Sequence, residues 1–364
     1  MKKILKSILL ALNIVAILLF LGSTMAGIVP PSRFIGFSLL SYGYLYLLVL
    51  NLFFALLWLL LSSKWFLLPI AAIVVRLGFV PLFFQVGGTD SVENKAGEGQ
   101  GLLKVLSFNV HCFSGRDFRS GVSDSNMVSF VDIVEAECPD VLVMQEYAGR
   151  GDTLHLTESL ERMGYHHRTS GNESGTLSSN VLFSKLPIVA VERVDGSSKF
   201  YADLMWGGDT VRVYNIHLDS YQLDESDKKQ IHDLSHGNVD STTGRGTLRK
   251  FRETILMHEQ EWAVLSDYLD TRNRLTVVAG DFNDTPASYF YQQCHKRLVD
   301  SYCEVGQGFS ATYHGIFTRN ASFPAFRIDM VLHTDDLEAV AYRRIKSEIS
   351  DHHPVAVTLK KVAK

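Results

Sequence analysis

Cysteine is scarce in this chain, with four residues in 364 (Cys112, Cys138, Cys294 and Cys303) and no C-x-x-C pair. That excludes a disulfide framework. Cys112 follows an apolar run and Cys138 ends a helical pattern, so both read as buried free thiols. Cys294 and Cys303 stand close enough to pair, and the sequence does not decide whether they do. The histidines, among them His232, His236 and His258, fall at no spacing typical of a zinc site. No internal repeat stands out.

Acidic residues are missing altogether from residues 1–89, which hold Lys2, Lys3, Lys6, Arg33, Lys64 and Arg76. The rest of the chain keeps 29 of the 35 Lys and Arg against all 39 Asp and Glu, a net of −10. A domain of that sign is not built to attract a polyanion over its whole surface.

The charge-poor segment is long and apolar. Residues 8–29 carry no charge, residues 37–61 are interrupted only by Asn51 and small hydroxyls, and residues 65–86 are broken by Arg76. A bilayer span needs ~20 mostly apolar residues, so three spans are expected within residues 1–86. The third is the weakest, because a central Arg must snorkel or face other helices. Tyr42, Tyr44, Tyr46, Trp58 and Trp65 sit where an interfacial belt would. A cleaved signal peptide at 1–25 is the competing reading, and the two further apolar runs argue against it. The three early lysines place the N-terminus in the cytoplasm. Three crossings then place everything after residue 90 on the non-cytoplasmic side of the cell membrane. Residues 87–101 are Gly-rich and polar and read as a linker.

From Leu102 onward, short β-branched runs alternate with a few helical patterns. Strands are expected at Leu103–Asn109, Val141–Gln145, Asn180–Phe183, Ile188–Val194, Phe200–Leu204, Val211–His217, Leu275–Ala279, Arg327–Leu332, Ala339–Ile345 and Val355–Leu359. Helices are expected from Ser125 to Pro139 and over Thr153–Met163, Arg252–Leu269 and Pro286–Lys296. Ten strands with few helices between them suggest two packed sheets flanked by helices. Residues 222–249 are polar and irregular and read as a loop beside the functional face.

Six strand ends deliver polar side chains: Ser107-Phe108-Asn109, Gln145-Glu146, Asn215-Ile216-His217, Gly280-Asp281-Phe282-Asn283, Arg327-Ile328-Asp329 and Ser350-Asp351-His352-His353-Pro354. Side chains of this kind bind a hard divalent cation, hold phosphate and move protons. Glu146 would be costly to bury unpaired, and Mg²⁺ is a natural partner. A spacing of two puts Asp281 and Asn283 on one face of an extended segment, and Asp284 or Thr285 would cap the helix at Pro286. Asp329 and His352 suit a carboxylate–imidazole pair, which fixes the tautomer and raises the basicity of the ring.

These motifs, in this order across residues 102–360, resemble the endonuclease/exonuclease/phosphatase superfamily. The resemblance implies a four-layered α/β sandwich, here preceded by transmembrane helices, and a catalytic domain at 102–364. It implies a metal-dependent phosphoester hydrolase using Mg²⁺, or alternatively Mn²⁺. Glu146 would be the principal metal ligand, with Asn109 and Asp351 beside it. Asp281 would orient or deprotonate the attacking water, His352 would act as general base with Asp329 behind it, and His217 would meet the charge on the leaving oxygen. Asn283, Asn180 and Arg327 would bind substrate, with His111 and His314 lining the cleft. Nucleic acid is the family's default substrate, while the tether and the acidic domain suit a phospholipid or sphingolipid head group. A non-catalytic membrane binding module is the reading from another class. No protein partner is legible.

Overall fold

A computed structural model describes residues 2–87, 101–114, 123–147, 153–171, 179–223, 226–227, 244–269, 274–314 and 326–362. Nearly all of the Gly-rich linker and much of the 222–249 stretch lie outside these residues. Contacts divide the chain into two units. One comprises Met1–Phe84, Tyr221–Gln260 and Asp284–Cys294; the other comprises Gln85–Ser220, Glu261–Asn283 and His295–Lys364.

The first unit begins with four apolar helices, α1 (Lys2–Ser23), α2 (Ile35–Ser41), α3 (Tyr44–Leu60) and α4 (Leu67–Val75). Buried amides join them where apolar packing alone gives no register. Trp58 Nε1 donates to Asn13 Oδ1 at 3.0 Å, and Asn51 Nδ2 donates to the Ala16 carbonyl at 3.1 Å. Among the described residues one helix, Lys3–Ser23, is by itself long and apolar enough to cross a membrane. α2 and α3 pass the same test only as a pair bent by 74°. Where the third span is expected, the described residues hold no helix of spanning length. The apolar helix there covers Lys64–Val75, about 18 Å at 1.5 Å per residue, short of a ~30 Å hydrocarbon core. It stops before Arg76, and a 3₁₀ turn, Leu77–Leu82, carries Pro81 inside it. Proline supplies no backbone N–H to continue an α-helix.

The second unit holds two six-stranded mixed sheets. After the two-residue strand β1 (Phe84–Gln85), the first sheet uses β2 (Leu102–Asn109), β3 (Val141–Tyr147), β4 (His167–Ser170), β5 (Ser179–Ser184), β13 (Leu337–Arg344) and β14 (Val355–Lys361). The second uses β6 (Ile188–Arg193), β7 (Phe200–Trp206), β8 (Asp209–His217), β9 (Leu275–Asp281), β10 (Val299–Asp300) and β12 (Asp329–His333); β11 is Gly308–Phe309. Strand orders are β13-β14-β2-β3-β5-β4 and β10-β12-β9-β8-β7-β6.

Period-two alternation builds the layers. Leu103, Val105, Val141, Val143 and Leu182 face Ala202, Leu204, Val213, Val277 and Val331 between the sheets. The intervening residues of the first sheet, Leu106, Phe108, Leu142, Met144 and Phe183, turn outward. They meet Phe130 and Val134 of α5 (Asp124–Glu137) and Leu156 and Leu160 of α6 (Thr153–Arg162). The architecture is the four-layered α/β sandwich.

Each sheet has one parallel pair at its centre, β2/β3 and β8/β9. Parallel neighbours end at the same rim. The antiparallel neighbours β12 and β14 start there, because Asp329 pairs with Asp281 and Val355 with Ser107. The topology alone therefore delivers six chain ends to one edge of the sandwich.

Candidate active site

Four of those ends supply carboxylates. Asp281 closes β9, is fully buried, and accepts from Asn109 Nδ2 at 2.9 Å through Oδ2 and from the Asn283 backbone N–H at 2.8 Å through Oδ1. Asp329 opens β12, is also fully buried, and takes His352 Nδ1 at 2.9 Å on Oδ2. Its backbone N–H donates to Thr312 Oγ1 at 3.0 Å. The other imidazole nitrogen, His352 Nε2, looks toward Asp281 Oδ2 at 3.6 Å and Asp351 Oδ1 at 3.9 Å. Across Asp281, His217 Nε2 stands 3.8 Å from Oδ2 and 3.6 Å from Glu146 Oε1. Asp281, Asp329 and His352 bring ligand atoms within 4.8 Å of one another, all from buried residues.

Backbone strain accompanies the site. Glu146 has φ +50° and Asn283 φ +47°, the left-handed region that non-glycine residues avoid. At Glu146 the cause is a register shift of β3 against β5 between Met144 and Tyr147, which turns the carboxylate out of the regular alternation. Gly280, at φ +145°, lets β9 close on β8: a Cβ there would lie 1.8 Å from the Ile216 carbonyl oxygen.

The electrostatics follow from burial and crowding. Burial pushes the Asp281 carboxyl up to about 6, against the pull of His352. Burial works against the imidazolium of His352, but Asp329 and Asp281 outweigh it and hold this histidine well above the ordinary imidazole range. The buried polar atoms that find no hydrogen-bond partner among the described residues include Asp329 Oδ1, His217 Nε2 and Asn180 Nδ2 at this site. An unsatisfied buried carboxylate oxygen among further carboxylates suits a hard divalent cation. Cys112 lies nearby in sequence, but burial and then Glu146 push its thiol up to about 11, away from nucleophilic use.

Several expectations need correction. The side chain of Asn109 is engaged by the protein itself. Its Oδ1 accepts from the His111 N–H at 3.0 Å, while its NH₂ bridges Glu146 Oε1 (3.0 Å) and Asp281 Oδ2 (2.9 Å). Asn109 is thus a spacer between two carboxylates. Asn283 lies beyond the end of β9, not on an extended face with Asp281, and its Nδ2 donates to the Leu218 carbonyl at 2.8 Å. Arg327 is buried and turned to Asp300, at 2.7 Å, with its guanidinium over the Tyr302 ring. The helix after Pro286 starts at Tyr289, capped by Ser288 Oγ, which accepts from the Tyr291 N–H, and not by Asp284 or Thr285. All four cysteines are free thiols, and Cys138 is exposed at its left-handed helix cap.

His111 Nδ1 lies 3.5 Å from Asp351 Oδ1, and the His314 ring stacks on His353 at 4.3 Å. Asn180 falls on β5 opposite the β3 bulge, between the pairs Met144–Val181 and Tyr147–Ser179. Four supporting residues had no role assigned from sequence. Asn215 accepts from Gln145 Nε2 and donates to the Met144 and Val181 carbonyls, joining the sheets beneath the site. Ser350 Oγ donates to the Asn109 carbonyl and accepts from the His352 N–H. Thr312 holds the Ile328 and Asp329 N–H groups, and the Tyr313 ring rests 5.0 Å from that of His352. A signal existed for Asn215: it shares the face of His217, two residues on, within a strand buried on both faces.

Comparison with known proteins agrees with this architecture. Residues 106–352 match the model of the Endonuclease/Exonuclease/phosphatase family, and residues 6–83 match a domain of unknown function, DUF8431. A comparison with curated proteins gives no match. Among solved structures, the endonuclease/exonuclease/phosphatase from Beutenbergia cavernae is similar at 20% identity and TM-score 0.50, over 72% of each chain. A family protein from Bacteroides thetaiotaomicron is similar at 17% identity and TM-score 0.50, over 71% of this chain and 94% of that one. The human Nocturnin catalytic domain, solved with a bound sulfate anion, is similar at 14% identity and TM-score 0.50, over 72% and 94%. These likenesses speak to fold; the family match spans most of the chain and carries the site's motifs, and on it the protein belongs to the endonuclease/exonuclease/phosphatase family.

Proposed function

We propose that this chain is a membrane-anchored, divalent-metal-dependent phosphoester hydrolase with its catalytic domain in residues 102–364. The observation that carries the reading is the buried series Asp329–His352–Asp281, with one carboxylate oxygen left unsatisfied. Four carboxylates (Glu146, Asp281, Asp329 and Asp351) against the imidazoles of His352 and His217 leave an excess of negative charge at the rim. Mg²⁺ or Mn²⁺ suits it, held by Glu146 and Asp351 with Asp281. When bound, the ion neutralises phosphate charge and polarises the P–O bonds.

The protein's own groups handle the proton and the geometry. Asp329 fixes His352 with Nδ1 as donor, which leaves Nε2 directed at Asp281 to take the proton of an attacking water. Asp281 orients that water. The unpartnered Nε2 of His217 donates to the charge that develops on the leaving oxygen, and the unpartnered amide of Asn180 holds a phosphate oxygen. Nucleic acid is the first substrate class. A phospholipid or sphingolipid head group is the second, favoured by the apolar N-terminal helix and the acidic domain.

The non-cytoplasmic placement of the active site rests on Lys2, Lys3 and Lys6 ahead of the apolar helix α1; two contacts tie the residues after α1 to later segments of the same unit. Just past the end of α1, the Gly27 carbonyl accepts from Gln293 Nε2 at 2.9 Å, and Ser32 donates to Glu259 at 2.7 Å through both N–H and Oγ.

The test uses the purified full chain in detergent, assayed against DNA, RNA, sphingomyelin, phosphoinositides and nucleotides. Hydrolysis is expected with Mg²⁺ or Mn²⁺, none in EDTA, and none for Glu146→Gln with the fold retained. Full activity in chelator would refute the metal assignment.

A further inference from the structure

The N-terminal region has a feature that an anchor alone does not need. α2 and α3 meet at Tyr42-Gly43, across the 74° bend. The Tyr42 hydroxyl donates to Asp284 Oδ1 at 2.7 Å and bonds the Tyr221 hydroxyl. Its ring stands edge-on to Tyr221 and Phe251, both at 5.9 Å between centroids. The second oxygen of Asp284, a buried residue, faces His258 Nδ1 at 3.2 Å.

The positions of these partners along the chain give the contact its meaning. Tyr221 follows His217, the last residue of β8, by four residues. Asp284 follows Asp281, the last residue of β9, by three. Those are the two parallel strands that end in His217 and Asp281, and Asn283 Nδ2 already joins their exits through the Leu218 carbonyl. One hydroxyl from the apolar N-terminal region therefore grips both segments within four residues of the site. An aromatic core residue would have served packing equally well without the oxygen.

We propose that Tyr42 is a positioning residue for the hydrolytic site: through Tyr221 and Asp284 its hydroxyl fixes the exits of β8 and β9, and so the separation of His217 from Asp281. The N-terminal region is then part of the working enzyme and not a detachable tether. This proposal rests on the hydrolase reading above.

Full-length protein in nanodiscs provides the test, with bis(p-nitrophenyl) phosphate as the probe and Tyr42→Phe as the variant. The variant keeps the ring and deletes the hydroxyl. It should lower kcat roughly 5- to 50-fold, the scale of a sub-ångström misplacement, with KM within twofold. Amide hydrogen exchange should quicken at both 218–223 and 282–288, while α1 exchanges as in wild type. Ser32→Ala, which removes the Oγ bond to Glu259, is the control and should move neither kcat nor exchange at those segments. Unchanged exchange at either segment, or quickened exchange with wild-type kcat, overturns the proposal. Exchange is read without turnover, so an inert wild type refutes the hydrolase reading while the tie at Tyr42 is still judged by its own measurement.

Discussion

Replacing Asp329 by Asn tests the site at its most buried pair. The side chain keeps its shape and loses its charge, so the effect reports on electrostatics and not on a cavity. In the native protein Asp329 Oδ2 and His352 Nδ1 are 2.9 Å apart, with the carboxylate fully buried. A hydrogen bond to a charged partner contributes ~1.5–3 kcal/mol. Losing it should lower the His352 pKa toward the ordinary imidazole range. The same energy, if lost from the transition state, lowers kcat by roughly 10- to 150-fold. A larger drop, toward ~10⁴, would mean that the amide has also switched the tautomer. The assay is twofold: kcat at saturating Mg²⁺, and NMR titration of the His352 ring in metal-free protein. Stability supplies a sign check. The folded pKa of His352 is raised, so the pair stabilises most below the unfolded value of about 6.5 and loses its effect as pH rises through the folded pKa. The difference in Tm between wild type and variant should therefore be widest near pH 6 and narrow toward alkaline pH. A His352 titration unmoved by the substitution, or wild-type kcat, would sink the argument.

Other outcomes follow from the same geometry. His217→Ala should lower kcat by ~10²–10⁴, the usual worth of a proton donor, with Mg²⁺ still raising Tm; an effect on KM alone would assign His217 to binding. Gly280→Ala should destabilise by more than ~3 kcal/mol, because the new Cβ meets the Ile216 carbonyl in a backbone conformation costing ~1–3 kcal/mol by itself; calorimetry showing an unchanged Tm would refute the close-approach account. A phosphatase reporter fused after Lys364 should be active on the non-cytoplasmic side, and signal from a cytoplasm-only reporter would reverse the topology.

Most of the strands were legible because burial on both faces leaves a short apolar, β-branched run, as in Leu103–Asn109. β4 (His167–Ser170) was not, being a four-residue edge strand with no buried residue to mark it. The long helix Gly244–Tyr268 begins eight residues before the expected Arg252, since its first two turns are polar and show no apolar stripe. The strand-end motifs pointed to the right rim because parallel pairs must end together. Side-chain direction was the harder question. The commitment of Arg327 to Asp300 and the turning of the Asn109 amide depend on partners 27 and 37 residues away. The Tyr42–Asp284 contact spans 242 residues, and no local pattern announces it.

The irregularity at Glu146 bears on how such a chain tolerates change in length. Between Met144 and Tyr147, β3 advances one residue against its neighbour, and this single offset is what turns the acid from the interior to the rim. Removing either Gln145 or Glu146 would let the strand resume regular pairing with Tyr147 still opposite Ser179, and the bulge that turns the acid to the rim would be lost. Many substitutions in β3 keep its apolar character and should pass selection, whereas in-frame single-codon deletions there should not. In a saturation library that includes deletions, this short stretch should stand out as a length-sensitive island inside a strand otherwise permissive to conservative exchange.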